Sequence, residues 1–387
     1  TQALGLVSPI DLGIKAAREL FTRSSVDPAD VGTVIAGCMA QASFDAFLLP
    51  RHIGLYSGVP RTVPALLVQR VCGTGFEALA QAADAILLER ASLALCVGAE
   101  SMSRNPIAAY THRSGFRMGQ VEFKDFLWEA LTDTAVDMDM GGTAENLARL
   151  YGISREQVDA YAARSFERAL AAQASGFLPG EICAVTSETF AIEGLRPRGI
   201  KLPSKAGTLN VDTHVRHSPV ELLATLRPAF GGVQTGGNSS AIVDGAAAAL
   251  VSSGAYAKAA GRTPLARLVG AVSVGVPPDV MGIGPVHAIR ALLAATDLRL
   301  ADIDRIEINE AFAAQVLACV RELRLDEAKL NVNGGAIAIG HPLAVSGIRL
   351  TVTLARELRR AGLRYGIAAA CVGGGQGIAI LIENLAR

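Results

Sequence analysis

A cysteine and a histidine in glycine-rich settings are the first candidates for chemistry. Cys72 follows an apolar run and stands directly before Gly73-Thr74-Gly75, where a predicted helix begins. Peptide dipoles at a helix N-terminus stabilise negative charge, so we expect a lowered thiol pKa and a nucleophilic thiolate. His341 lies between Gly340 and Pro342, and the proline biases it toward extended backbone. We therefore expect the imidazole on a turn, where it could activate a thiol by taking its proton.

A second cysteine, Cys371, ends another apolar run and is followed closely by Gly373-Gly374-Gly375. Backbone N–H groups of glycines have no side chain to shield them, which is what an oxyanion hole requires. Asn309 follows a predicted strand at 306–308, and strand ends are where α/β proteins bind ligands. We expect the two cysteine segments, the asparagine and the histidine turn to converge on one site.

Each of these residues also has a purely structural explanation. Cysteine is among the most buried residue types, and His341 could be a histidine of the core or of a turn. The run 73–78 also fits G-x-G-x-x-A after a strand, the fingerprint of a dinucleotide-binding enzyme. That pattern is short, Glu100 comes too late to be its acidic partner, and bulky Phe76 opens the helix. We therefore favour nucleophilic catalysis over dinucleotide binding.

Composition and charge exclude several classes of protein. The chain has 387 residues with 36 Lys and Arg against 36 Asp and Glu, so no global charge favours nucleic acid or an anionic membrane surface. Every apolar run is shorter than the roughly 18 residues that a membrane span needs. The six cysteines show no C-x-x-C spacing, so we expect free thiols and neither a metal site nor a disulfide framework. Because no address signal is recognised, we expect a cytoplasmic protein.

Helices and strands alternate along the chain, which predicts an α/β fold with a parallel or mixed sheet covered by helices. The sequence ALCVGA at 94–99 is similar to AACVGG at 369–374, and the order of elements around the two is alike. We infer an internal duplication, with two copies of one α/β unit packed as a pseudo-symmetric pair. A chance similarity between apolar strands is the alternative.

The segment 103–240 departs from this alternation and predicts an inserted lobe. One of its helices opens at the capping box Ser154-Arg155-Glu156-Gln157. The stretch 196–217 holds five basic residues, among them Arg216, against the single acid Asp212. In a neutral protein this excess suits a phosphate-bearing ligand, whereas a solvated loop is the alternative.

Four long blocks resemble the signatures of the thiolases, the acetyl-CoA acyltransferases: VCGTG at 71–75, NEAFAAQ at 309–315, NGGAIAIGHPLAVSGIR at 333–349 and CVGGGQG at 371–377. Shorter blocks are also similar to the family: TAEN at 143–146, RPAF at 227–230, GGNSSAIVDGAAA at 236–248 and MGIGP at 281–285. The resemblance covers essentially the whole chain. It implies a five-layer αβαβα core built from two duplicated halves, with an inserted loop domain that binds coenzyme A. The halves would span 1–102 with about 241–262, and 263–387, and the loop domain 103–240.

Carried over residue by residue, the resemblance implies that Cys72 accepts the acyl group and His341 takes its proton. Cys371 would exchange a proton with the α-carbon of acetyl-CoA. Asn309 would fix a water that forms one oxyanion hole with His341, while the N–H groups of Cys72 and Gly373 form the other. The positions implied for substrate and coenzyme A are Ser240, Arg216, Gly236, Met140, Phe230, Met281 and Phe312.

The activity that the resemblance implies is reversible cleavage of 3-oxoacyl-CoA by coenzyme A into acyl-CoA and acetyl-CoA, or the reverse Claisen condensation. Coenzyme A would be a substrate and product, no cofactor would be bound permanently, and the protein would be a homodimer or homotetramer. A decarboxylating ketosynthase of the same fold and a catalytically silent acyl-CoA-binding protein are the alternatives. The former uses a histidine or asparagine where Cys371 stands.

Three positions depart from the family pattern. Asp139 stands where many biosynthetic members have a histidine, so the acyl pocket could differ. Ala344 stands where glycine usually follows the His-Pro pair, and Gln69 where asparagine usually precedes the nucleophile block. The family's first strand, with its Arg-Thr-Pro start, is not recognised in this sequence, and the resemblance would place it before Thr1.

Overall fold

The computed structural model describes residues 3–40, 46–110 and 112–386, so those parts of the expected units at 1–2, 41–45, 111 and 387 lie outside the described residues. The helices are α1 (Pro9–Ser24), α2 (Leu49–Tyr56), α3 (Thr74–Leu87), α4 (Phe126–Ala130), α5 (Met140–Tyr151), α6 (Arg155–Ala174), α7 (Val220–Ala224), α8 (Gly254–Ala259), α9 (Gly284–Thr296), α10 (Ala313–Leu323), α11 (Ala336–Ile339) and α12 (Ser346–Ala361). The strands are β1 (Thr33–Gly37), β2 (Ala65–Val68), β3 (Leu93–Ser101), β4 (Ile107–Ala108), β5 (Lys124–Asp125), β6 (Thr132–Asp133), β7 (Met138–Asp139), β8 (Glu188–Phe190), β9 (Arg198–Ile200), β10 (Asp244–Ser252), β11 (Arg267–Gly275), β12 (Arg305–Ile308), β13 (Tyr365–Val372) and β14 (Gln376–Glu383).

Two four-stranded mixed sheets form the centre of the molecule. The first has the order β10-β3-β1-β2, with β1 parallel to both neighbours and β10 antiparallel to β3. The second has the order β11-β14-β13-β12, with β12 parallel to β13 and the other pairs antiparallel. Strands β3 and β13 are almost continuously apolar because each is buried on both faces, as in sheets covered by helices on both sides.

Three adjacent strands of each sheet correspond, with β1 matching β12, as an internal duplication predicts. Strand β3 matches β13, and β10 matches β14, each antiparallel to its neighbour. Strand β11 lies on the outer side of β14, and no strand among the described residues lies in the equivalent position beside β10. The residues of β10 are accordingly only half-buried, whereas those of β14 are almost all buried.

Helices α3 and α12 pack against each other between the two sheets. Their apolar faces share one core with both sheets, and Phe76 and Ile348 are completely buried there. The helices approach closely at Gly75, where a Cβ would lie 2.8 Å from the carbonyl oxygen of Ala344. This contact brings the beginning of α3 next to the turn that precedes α12.

The outer faces of the sheets are covered by other helices. Helices α1 and α2 pack on the first sheet, and α9 packs on the second. Helix and sheet layers therefore alternate across the molecule. None of the helices in the described part of the chain is long and apolar enough to cross a membrane.

The segment between β3 and β10 holds short two-stranded ribbons and the helices α4 to α7. Helix α6 begins at the expected capping box, since Ser154 and Gln157 satisfy each other's backbone N–H groups. In the basic stretch 196–217, Arg198 pairs with Asp11 of α1 at 2.9 Å, so this cation holds the lobe onto the first half. The domain boundaries at 102/103, 240/241 and 262/263 stay a prediction.

Candidate active site

Cys72 lies on a strained turn directly before α3. Val71 has φ +42°, an unfavourable left-handed conformation for a β-branched residue. Thr74 stabilises the turn, because its hydroxyl donates to the Val71 carbonyl at 2.7 Å and accepts from the Arg70 N–H at 2.9 Å. Backbone strain of this kind is retained where the surrounding structure fixes it, often at functional sites. The turn thus holds Cys72 just outside the helix.

The thiol of Cys72 is only 4% exposed and packs against Met39, Met102 and Leu343. Burial raises its pKa to about 11, although the backbone N–H groups of Gly373 and of Cys72 itself act in the opposite direction. The expectation of a helix-stabilised thiolate was therefore wrong, because the cost of desolvating the charge exceeds the effect of the helix N-terminus. Cys72 is a thiol at neutral pH and needs a base.

The glycine turn between β13 and β14 brings a second backbone donor to Cys72. The backbone N–H of Gly373 is near enough to the Cys72 sulfur to favour its ionised form. Gly374 and Gly375 have φ +82° and +79°, which only glycine adopts readily. The N–H groups of Cys72 and Gly373 therefore both favour negative charge on the sulfur, one from each half of the fold.

Cys371 is the penultimate residue of β13 and is completely buried. It packs against Ala144, Met281, Ala311 and Phe312. Its pKa is raised well above the ordinary value, first by burial and then by the nearness of Cys72. Two neutral thiols thus share one site, and ionisation of either opposes ionisation of the other.

His341 is fixed on its turn by both ring nitrogens. Gly340 before it has φ +112°, and the His341 N–H donates to the Ala241 carbonyl at 3.2 Å. Nδ1 lies 2.6 Å from the Ser346 hydroxyl, and Nε2 lies 3.3 Å from Nδ2 of Asn309. Burial lowers the pKa of His341 to about 3, and the charge of Arg349 acts in the same direction. The imidazole is therefore neutral at pH 7 and able to accept a proton.

Asn309 is completely buried at the end of β12, where its N–H donates to the Ala369 carbonyl at 2.9 Å. Its Oδ1 has no hydrogen-bond partner among the described residues. A buried amide oxygen without a partner is costly unless a ligand or water meets it. The side chain can therefore hold a polar atom next to Nε2 of His341.

Glu310, next to Asn309, anchors this strand end to the inserted lobe. Its carboxylate accepts from Tyr161 at 2.9 Å and from Ser165 at 2.6 Å, both on α6. It also accepts from Asn331 and from the N–H of Ile337. Burial and the neighbouring carboxylate raise the Tyr161 pKa well above its ordinary value, so the hydroxyl remains a donor.

Glu100 also lies beside the candidate site. The sequence pattern had suggested it only as an acidic residue that comes too late for a dinucleotide-binding motif. It is completely buried at the end of β3 and accepts from the N–H groups of Met39, Ala40 and Ala344 at 2.9 to 3.1 Å. It thereby joins the loop that lines Cys72 to the turn of His341. The signal in the sequence that could have identified Glu100 is an acidic residue near the end of an otherwise almost wholly apolar strand.

Most of the residues expected to line the coenzyme A tunnel lie together. Phe312 and Met281 pack with Cys371, and Met140 and Phe230 pack against the same cluster. The Phe230 and Phe312 rings meet edge to face at 5.8 Å. The Ser240 N–H donates to the Ala311 carbonyl at 2.9 Å, which brings the serine to the cluster's border.

The other two expected ligand contacts have different surroundings. Arg216 is exposed, stacks over the Phe166 ring at 4.9 Å and contacts His214. Gly236 is exposed, and a Cβ there would meet nothing within 4 Å. Neither is in the cluster around Cys371, so the structure places both at the surface of the inserted lobe.

The departures from the family pattern have distinct surroundings. Asp139 caps α5 by accepting from the Gly142 N–H at 2.8 Å. Ala344 is buried, and its carbonyl oxygen packs against Gly75 and Gly98. Gln69 is exposed, and nothing in the structure explains its identity. No group of three acidic, histidine or cysteine side chains within the described ranges could hold a metal ion.

Comparisons with known proteins agree with this geometry. Residues 2–255 match the family model "Thiolase, N-terminal domain", and residues 262–384 match "Thiolase, C-terminal domain". The chain is 43% identical to the mitochondrial 3-ketoacyl-CoA thiolase of Bos taurus, over 98% of this chain and 93% of that protein. It is 40% identical to the beta-ketothiolase BktB of Cupriavidus necator, over 98% and 94% of the two chains.

The same relationship holds at the level of structure. The human mitochondrial 3-ketoacyl-CoA thiolase in complex with CoA superposes with a TM-score of 0.92 at 42% identity, over 99% of this chain and 93% of that chain. The acetyl-CoA acetyltransferase of Bacillus anthracis gives a TM-score of 0.90 at 40% identity, over 99% and 94% of the chains. The expected thiolase-like fold is thus confirmed. This chain belongs to the thiolase family.

Proposed function

We propose that this thiolase cleaves 3-oxoacyl-CoA with coenzyme A through an acyl-Cys72 intermediate, and runs the reverse Claisen condensation by the same steps. The observation that supports this most directly is the close contact between the two turns: a Cβ on Gly73 would lie 2.9 Å from Val372, and a Cβ on Gly373 would lie 3.3 Å from Val71. It brings a nucleophile from one half of the fold against an oxyanion donor that lies two residues after Cys371 in the other half.

In the first step, Nε2 of His341 takes the proton of Cys72 while the sulfur attacks the C3 carbonyl of the substrate. The oxygen of the tetrahedral intermediate accepts from the N–H groups of Cys72 and Gly373. When the C2–C3 bond breaks, its electron pair goes to the acetyl-CoA enolate, and the Cys371 thiol gives that enolate its proton. Acyl-Cys72, acetyl-CoA, a Cys371 thiolate and a protonated His341 remain.

In the second step, the Cys371 thiolate takes the proton of coenzyme A, whose sulfur attacks acyl-Cys72. The intermediate collapses to acyl-CoA, and the departing Cys72 sulfur recovers its proton from His341. Every proton is therefore returned, and the step needs no permanently bound cofactor. The enolate oxygen in the first step would lie between Nε2 of His341 and a water held by Asn309, whose Oδ1 lacks another partner.

The coenzyme A chain would run along the apolar cluster of Met140, Phe230, Met281 and Phe312, which leads to Cys371. Ser240 and Gly236 would lie beside the pantetheine. Arg216 is exposed and could reach a phosphate outside the tunnel. We assign acyl-CoA, acetyl-CoA and coenzyme A as the partners of this site, and neither nucleic acid nor a membrane.

The first test is an acetoacetyl-CoA thiolysis assay combined with mass spectrometry of the protein after acetyl-CoA treatment. We expect turnover and an acetyl group on the peptide that contains Cys72, and we expect Cys72→Ser to remove both. An adduct on another residue, or an undiminished adduct in Cys72→Ser, would overturn the assignment. Absence of any turnover by the unaltered chain would favour a silent acyl-CoA-binding protein.

A homodimer or homotetramer also remains a proposal. Strand β2 is the outer strand of the first sheet, and its Leu66 is 48% exposed, so the edge could pair with a second copy. Light scattering on the purified protein would give the assembly size, and a monomer would contradict the proposal. The cytoplasmic location stays a prediction, and the mammalian relatives are named as mitochondrial.

A further inference from the structure

Two side chains connect the halves of the fold beside the proposed oxyanion hole. Nη1 of Arg70 donates to Oε1 of Gln376 at 3.1 Å, although the two residues are 306 positions apart. Arg70 lies on the strained turn two residues before Cys72. Gln376 begins β14, directly after the glycine turn that carries Gly373.

Both ends of this contact are held in place. Nε2 of Gln376 donates to the Gly373 carbonyl at 3.4 Å, so both polar atoms of the amide are used. Nε of Arg70 pairs with Glu77 in the first turn of α3 at 2.7 Å. The Arg70 carbonyl accepts from the Gly73 N–H at 2.8 Å. Arg70 therefore shapes the Cys72 turn with its main chain and reaches the glycine turn with its side chain.

The proposed oxyanion hole needs such a link because its two donors lie on turns that follow strands of different sheets, β2 and β13. A donor stabilises the developing oxyanion only when it lies about 2.7–3.1 Å from the position that the oxygen will occupy. A small shift of one sheet relative to the other would move the Gly373 N–H away from that position. Close packing between Gly73 and Val372 limits how near the two turns can come to each other, but it does not prevent the turns from moving apart.

We infer that Arg70 and Gln376 form a positioning pair that sets the separation between the N–H groups of Cys72 and Gly373. The inference rests on the proposed function, since it assigns these N–H groups to the oxyanion hole. The Arg70 side chain is 30% exposed, so its ion pair with Glu77 adds little to stability. Loss of the pair should therefore lower the catalytic rate more than it lowers the stability of the fold.

The test compares Arg70→Met, Gln376→Leu and the double variant in steady-state thiolysis of acetoacetyl-CoA. Removing a whole oxyanion donor costs roughly 100- to 1000-fold in rate, so a displaced donor should lower kcat roughly 10-fold. We expect KM to stay within about twofold, because the oxyanion forms only in the transition state. The double variant should lose no more than the more impaired single variant, because either change breaks the same link.

Gln81→Leu is the matched control. Gln81 donates to the same Glu77 at 2.8 Å from one turn further along α3. Loss of this hydrogen bond in Gln81→Leu should leave kcat unchanged. Arg70→Lys keeps a cationic donor and should recover part of the rate. Melting temperatures of all variants should agree within a few degrees.

Two results would overturn the inference. One is a kcat within twofold of the unaltered enzyme for both Arg70→Met and Gln376→Leu. The other is losses that multiply in the double variant, because independent effects would show that the residues do not act as one link. Failure of the proposed function is recognised separately, since the unaltered enzyme would then form no acyl-Cys72.

Discussion

The hydroxyl of Ser346 lies 2.6 Å from Nδ1 of His341, and both side chains are buried. The same hydroxyl can donate to the Pro342 carbonyl at 3.4 Å. It then accepts from Nδ1–H, which leaves Nε2 without a proton and facing Asn309. Ser346 thereby favours the tautomer that the proposed mechanism requires, in which Nε2 of His341 can accept a proton.

We expect Ser346→Ala to lower kcat for thiolysis roughly 10-fold, because proton transfer contributes about 100- to 10,000-fold and the variant keeps the imidazole but not its fixed tautomer. Steady-state kinetics and nitrogen NMR of the histidine ring would measure the two effects. Thr353→Val is the control, since Thr353 lies on the same helix and its hydroxyl bonds Glu181 at 2.7 Å. An equal loss of kcat in both variants would contradict the tautomer argument.

Cys371→Ala should separate acylation from carbon–hydrogen chemistry. We expect this variant to form acetyl-Cys72 from acetyl-CoA, because Cys72 and His341 are untouched. It should fail to exchange the α-hydrogens of acetyl-CoA with deuterium from solvent, since no base remains near the methyl group. Mass spectrometry measures both reactions. Exchange at the rate of the unaltered enzyme would refute the role of Cys371.

His341 should make the fold sensitive to acid. Its pKa is about 3 in the folded protein, against about 6.5 when exposed, so the unfolded chain binds the proton more tightly. The stability that this group contributes is complete above pH 6.5 and is lost as the pH falls toward 3. We expect a loss of about 2 kcal/mol in unfolding free energy between pH 7.5 and pH 5 from this group.

Urea unfolding at the two pH values would measure the loss, and His341→Asn should show a correspondingly smaller one. Asparagine has similar polarity and does not titrate in this range. The same pH dependence in both proteins would assign the acid sensitivity to other buried groups.

Gly98→Ala should remove activity from a distance. A Cβ at Gly98 would overlap the carbonyl oxygen of Ala344 and would lie 2.9 Å from Cα of Val345, on the turn after His341. Because these are backbone atoms, the turn must move and take the imidazole with it. We expect at least a roughly 100-fold loss of kcat, as is common when a catalytic group is misplaced by about 1 Å.

Gly254→Ala is the control for this change, since a Cβ there would meet nothing within 4 Å. It should retain full activity in the acetoacetyl-CoA assay. Full activity in Gly98→Ala would show that the backbone adjusts without displacing His341.

Local patterns were enough to single out the candidate reactive residues. Cys72 and His341 each have an adjacent glycine, Cys371 has one two residues away, and turn chemistry is encoded within a few residues. The direction of the Cys72 pKa was not predictable, because burial depends on side chains far away in the chain. Glu100 and Ser346 were missed as positioning residues because a single polar residue in an apolar segment has no spacing that identifies its partner.

The proposed oxyanion hole would take one N–H group from each half of the fold, so neither half would contain a complete site. On this proposal, one half of the fold could not carry out the reaction without the other. The first half supplies Cys72 before a helix, and the second half supplies Cys371 close to a glycine turn. Separately expressed halves should accordingly be inert until they reassociate.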